Sequence, residues 1–63
     1  MNTPRNALYT RPVIIHLPDS GSCLHVMIRP ETDIDDRFIA WHEDSQDFIR
    51  INGWMVEIEE GHV

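Results

Sequence analysis

The sequence contains no lysine, a single cysteine, three isolated glycines and no long apolar run. Each absence excludes something. Cys23 alone cannot form an internal disulfide, so a domain this small must draw stability from its core, from a metal or from association with another chain. Gly21, Gly53 and Gly61 stand apart from one another, which excludes a glycine-rich phosphate loop. No stretch approaches the roughly 18 apolar residues of a membrane span, so no membrane association is expected. Met1 is followed by Asn2-Thr3-Pro4-Arg5 rather than by the apolar core of a secretory signal, and a cytoplasmic, reducing setting is the expectation.

Positive charge is scarce as well. Five arginines stand against eleven acidic residues, for a formal net charge of −6. The imbalance is uneven: residues 1–30 carry Arg5, Arg11 and Arg29 against Asp19, whereas residues 31–63 carry only Arg37 and Arg50 against ten acids. An acidic domain repels phosphate backbones at long range, which disfavours direct nucleic-acid binding and suits a partner with a basic surface.

What is present is a 63-residue chain, 41% hydrophobic with two Trp and two Phe, the composition of one small globular domain. Residues 1–12 lack periodicity and read as an N-terminal arm, residues 13–60 as the domain and residues 61–63 as a tail. Val13 to Leu17 and Cys23 to Arg29 are β-branched or alternating runs joined by Pro18-Asp19-Ser20-Gly21, a turn in which Pro presets φ and Gly closes the loop. That hairpin sets Ile15 opposite Leu24 and Val13 opposite Val26. Its inward face is Val13, Ile15, Leu17, Leu24, Val26 and Ile28, and its outward face is Ile14, His16, Cys23, His25 and Met27.

The strongest local signal is Asn52-Gly53 within the alternating stretch Phe48 to Ile58, which predicts a two-residue hairpin of type I′. Ile49, Ile51, Trp54, Val56 and Ile58 would then share the core face, with Phe48, Arg50, Met55 and Glu57 opposite. Residues 32–43 support two readings. As a strand, Phe38 to His42 joins the same meander through a loop at Asp44-Ser45-Gln46, which sets Trp41 opposite Ile49 and Ile39 opposite Ile51. As a helix, Thr32 caps a segment with Ile34, Phe38 and Trp41 at helical spacing. The clustering of Phe, Ile and Trp favours the strand. The expected fold is therefore all-β, a small five-stranded antiparallel barrel or sandwich built from a hairpin and a three-stranded meander. The alternative is an α+β fold in ββαββ order.

Three constellations bear on function. His16, Cys23 and His25 share one face of the first hairpin and are candidate metal ligands, with His42 or His62 as a fourth, but no zinc-type spacing accompanies them and no cofactor is expected. Phe38, Ala40, Phe48, Arg50 and Met55 form an apolar patch opposite the core, which the arm with Leu8 and Tyr9, a second copy of the chain or another protein must cover. The acids Asp35, Asp36, Glu43, Asp44 and Asp47 could line one rim facing a basic groove. No nucleophile with an adjacent base and orienting group is present, so catalysis is not expected. These features predict a small acidic protein–protein interaction module, in its sharper form an inhibitor or accessory regulator of a basic nucleic-acid-binding protein. Asp35, Asp36, Glu43, Asp44 and Asp47 would steer its encounter, and Phe38, Trp41, Phe48, Arg50 and Met55 would make contact. A Cys/His metal module and a small β-barrel binding single-stranded nucleic acid are the alternatives.

Overall fold

The computed structural model describes residues 3–61, and the chain is all-β as expected. β1 (Arg11–Leu17), β2 (Ser22–Ile28), β3 (Arg37–His42), β4 (Asp47–Asn52) and β5 (Glu57–Glu60) form one antiparallel sheet in the order β4-β3-β2-β1-β5. The sheet is not closed into a barrel. Among the described residues no helix is long and apolar enough to cross a membrane.

The first hairpin forms as its turn chemistry dictates. Gly21 adopts φ 69°, the left-handed conformation that closes the Pro18-Asp19-Ser20-Gly21 turn, and its N–H donates to the Leu17 carbonyl at 2.9 Å. The register follows: Val13 lies opposite Val26, Ile15 opposite Leu24 and His16 opposite Cys23. Val13, Ile15, Val26 and Ile28 are fully buried, with Leu17 and Leu24 packed at their margin. β1 starts at Arg11, so Arg11 and Pro12, read as arm, are already strand.

Residues 37–42 are strand rather than helix, but the register against β4 is shifted by one from the expected pairing. His42 pairs with Asp47, Ala40 with Ile49 and Phe38 with Ile51. The loop therefore has four residues, Glu43 to Gln46, and not three. Gln46 takes the left-handed conformation at φ 55°, its N–H donates to the His42 carbonyl at 2.9 Å, and its side-chain amide donates to the Glu43 carbonyl at 2.7 Å. Because side chains alternate with period two, this one-residue shift exchanges the faces of β3. Phe38 and Ala40 turn into the core, while Ile39 and Trp41 turn outward.

The predicted Asn52-Gly53 hairpin is also absent. Asn52 is extended (φ −101°, ψ 106°), and Gly53–Met55 form one 3₁₀ turn that leads away from β4. β5 then pairs with β1, setting Ile58 opposite Ile15 and Glu57 opposite His16. The cause is a long-range contact. The Gly53 N–H donates to the Asp36 carbonyl at 2.9 Å, and Gly53 is pressed so close to the preceding crossing segment that an added Cβ would meet the Ile34 carbonyl oxygen at 1.6 Å. A backbone approach of this kind excludes every side chain. Ile49, Ile51, Val56 and Ile58 keep their expected place against the core, but Trp54 does not.

Three substitutions distinguish this architecture from the meander. Asn tolerates the left-handed conformation of a type I′ turn but cannot fit against Ile34, so Gly53→Asn should destabilise by about 2–4 kcal/mol in urea denaturation. A nearly neutral Gly53→Asn would restore the turn. Similarly, Ala40→Leu should cost about 1–3 kcal/mol by overpacking, whereas Ile39→Ala should cost less than about 1 kcal/mol. The reverse order of costs would indicate the other register.

Candidate functional site

The face opposite the core is covered in part by the chain's own arm. Residues 4–9 wind through two consecutive turns, with Ala7 N–H donating to the Pro4 carbonyl and Tyr9 N–H to the Asn6 carbonyl, each at 3.0 Å. This places the Tyr9 ring 5.1 Å from that of Phe48, and Phe48 packs edge-on against Trp41 at 5.0 Å. The Arg5 guanidinium lies 5.2 Å over Phe48. Tilted and edge-to-face aromatic pairs align the positive ring edge with the negative face of the neighbour, so this cluster has favourable geometry as well as area. Trp41 is only 8% exposed although it lies outside the main core. Its buried indole Nε1–H has no acceptor among the described residues. Leu8, expected to pin the arm beside Tyr9, is exposed.

A second apolar surface is open. Trp54 is 55% exposed, Met55 64% and Ile39 38%. The 3₁₀ turn holds Trp54 and Met55 outward, and Arg37 stacks over the Trp54 ring at 5.5 Å. Arg37 also lines a groove of about 430 Å³ with Phe38, Ile39, Arg50, Ile51 and Asn52. Thus Met55 and Arg50 stand at the surface as expected. Phe38 packs against the core, Phe48 lies beneath Tyr9 of the arm, and Trp41 packs against Phe48. Nothing in the local pattern distinguished Trp54 from a core strand residue. Its exposure follows from the Gly53 crossing.

The acids fall into separate groups rather than one rim. Asp35 and Asp36 precede β3 at the Arg37–Asn52 end of the β3–β4 hairpin, and Glu43, Asp44 and Asp47 lie at the His42–Asp47 end. At about 3.4 Å per residue the two ends are roughly 17 Å apart. Several carboxylates have local backbone duties: Asp33 accepts from Asp35 N–H at 3.0 Å, Asp36 from Arg37 N–H at 2.7 Å, and Asp47 from Phe48 N–H at 2.8 Å. Glu60 pairs with Arg11, whose guanidinium also reaches the Pro30 and Thr32 carbonyls at 3.4 Å. The hydrogen bond from Arg11 holds the Glu60 carboxyl below the usual carboxylate range, and Glu60 in turn raises Arg11. This clasp contributes above the ordinary carboxylate pKa and is lost as acid protonates Glu60.

His16 and Cys23 are cross-strand neighbours as the hairpin predicted, but the His16 Nε2 is 3.0 Å from Glu59 Oε1 and Cys23 is an exposed free thiol. His25 lies opposite Ile14, and His42 Nδ1 contacts Ser45 Oγ at 2.8 Å. Among the described residues no group of three or more His, Cys, Asp or Glu side chains could hold a metal. His62 lies outside those residues.

Because Tyr9 stacks on the Phe48 ring that packs against Trp41, in a Trp54→Phe background Tyr9→Ala should loosen Phe48 and shift the remaining tryptophan emission to longer wavelength. It should also cost about 1–2 kcal/mol of stability. Unchanged emission would place the cover elsewhere. Comparison with protein-family models, curated proteins and solved structures finds no match to this chain.

Proposed function

We propose that this chain is a small acidic protein–protein interaction module whose working surface is the Trp54–Met55 turn together with Asp35 and Asp36. The observation that carries this reading is the exposure of Trp54 and Met55 at a point tied to the acidic segment by the Gly53 N–H to Asp36 carbonyl bond. Tryptophan and methionine are enriched at interface centres, where a buried aromatic supplies much of the binding energy. Carboxylates beside such an anchor steer it toward a positive surface and disfavour other partners. The complementary partner presents an apolar pocket ringed by Arg or Lys.

In its sharper form the partner is a basic nucleic-acid-binding protein, and this chain is its inhibitor or accessory regulator. A carboxylate-bearing surface competes with phosphate for the same arginines and lysines. The remoter Glu43, Asp44 and Asp47 then contribute to long-range steering, while contact falls to Trp54, Met55 and the neighbouring Arg37. The single-stranded nucleic-acid alternative has less support, because Tyr9 and Arg5 already occupy the Phe48 ring on which a base would stack. The role assigned is binding, with no catalytic step.

Titration calorimetry with an arginine-rich polypeptide tests the electrostatic and apolar parts separately. Affinity should fall as salt rises and fall again in a variant combining Asp35→Lys with Asp36→Asn, which keeps the acceptor for the Arg37 N–H. Trp54→Ala should cost about 2 kcal/mol of binding, near thirtyfold. Binding indifferent to salt and to both sets of substitutions would remove this reading.

A further inference from the structure

The two edges of the sheet differ in kind. β5 is four residues long and carries Glu57, Glu59 and Glu60, charges that guard an edge against unwanted pairing. β4 is six residues long, Asp-Phe-Ile-Arg-Ile-Asn, and pairs only with β3. Its Arg50 is exposed and forms no ion pair among the described residues, and the same is true of Glu57 on the other edge. A β-branched edge with an unpaired cation is a template for an extended acidic strand.

We infer that the β4 edge of one chain accepts the β5 edge of a second copy, joining copies head to tail in one continuous sheet. The alternation of the two strands fits this pairing. On β4, Asp47, Ile49 and Ile51 belong to the core face, and Phe48, Arg50 and Asn52 to the arm-bearing face. On β5, Ile58 lies on the core face opposite Ile15, whereas Glu57 and Glu59 lie on the arm-bearing face opposite His16 and Ile14. A continuous sheet preserves these faces across the junction. Ile58 of the second copy therefore extends the Ile49–Ile51 row, and its Glu57 and Glu59 come beside Arg50. The groove at Arg37, Ile39 and Arg50 receives their carboxylates.

Neither edge is complementary to itself. Pairing β5 with β5 sets glutamate against glutamate, and pairing β4 with β4 leaves Arg50 without a carboxylate, because Asp47 belongs to the opposite face. The contact is thus heterologous, and whether it closes into a ring or continues as a filament depends only on the rotation between copies. This surface meets the Trp54 anchor at Arg37, but the variants that test it change Arg50, Glu57 and Glu59, which that reading does not use, so the failure of one reading is distinguishable from the failure of the other.

Native mass spectrometry and sedimentation of the full chain over a range of concentrations test the assignment. The wild-type protein should assemble into multiples of the 7.4 kDa chain. Arg50→Glu, and separately Glu57→Arg with Glu59→Arg, should each raise the concentration of half-assembly about tenfold or more. Mixing the two variants should restore assembly, since each supplies the edge that complements the other. Circular dichroism checks that each variant is folded. Glu57→Arg alone replaces the double substitution if release of Glu59 from His16 unfolds the chain. A wild-type protein of single-chain mass at every concentration would overturn the inference. So would assembly that ignores the β5 reversals, or a mixture of folded variants that stays monomeric.

Discussion

The close approach of Gly53 to the Ile34 carbonyl fixes the connectivity of the whole sheet. By accepting the Gly53 N–H, the Asp36 carbonyl draws the chain out of β4 and into a 3₁₀ turn instead of letting it fold back on itself. β5 then reaches β1, which gains neighbours on both sides. Deep burial lies there: Val13 and Ile15 on β1 and Val26 and Ile28 on β2 are all fully buried. At the far end of β5, Arg11 clasps Glu60 and the carbonyls of the crossing segment, so the strand is held at both termini. A domain of this size has little stability in reserve, and one sterically exacting backbone contact therefore governs a large share of it.

The same crossing sorts the aromatic residues by availability. Trp41 and Phe48 lie on the outward face of β3 and β4, but Tyr9 and Arg5 from the arm cover Phe48, and Phe48 packs edge-on against Trp41. Trp54, which a meander would have buried, stands in solvent under Arg37. A patch of exposed Trp and Met on a small acidic domain is where a partner gains the most from desolvation. Meanwhile Asp33, Asp36 and Asp47 accept backbone N–H groups in turns while keeping their negative charge. The division of the acids between two hairpin ends turns an expected rim into separate patches.

Sequence and structure agree most closely in the first hairpin. Pro18 and Gly21 set its turn, strict alternation sets its faces, and together they admit one register, down to the juxtaposition of His16 and Cys23. In the structure Glu59 arrives on β5 beside His16, and β5 reaches β1 only through the long-range crossing. The strand character of residues 37–42 was equally readable from their β-branched and aromatic residues. Loops of three and four residues, however, give registers that place opposite faces inward. The choice rests on Gln46 adopting a left-handed conformation that its side chain does not advertise.

From its own residues, then, the chain determined its class, its five strands and the inward face of β1 and β2, because those depend on alternation and on turns closed by neighbours in sequence. Tertiary structure alone decided the register of β3 on β4, the partner of β5, the exposure of Trp54 and the cover over Phe48. Each of these depends on residues far apart in the chain or on a loop conformation of nearly equal local cost. The Asn52-Gly53 pair marks the boundary between the two. A local turn preference amounts to about 1 kcal/mol, and a backbone hydrogen bond joined to close packing and a paired fifth strand outweighs it.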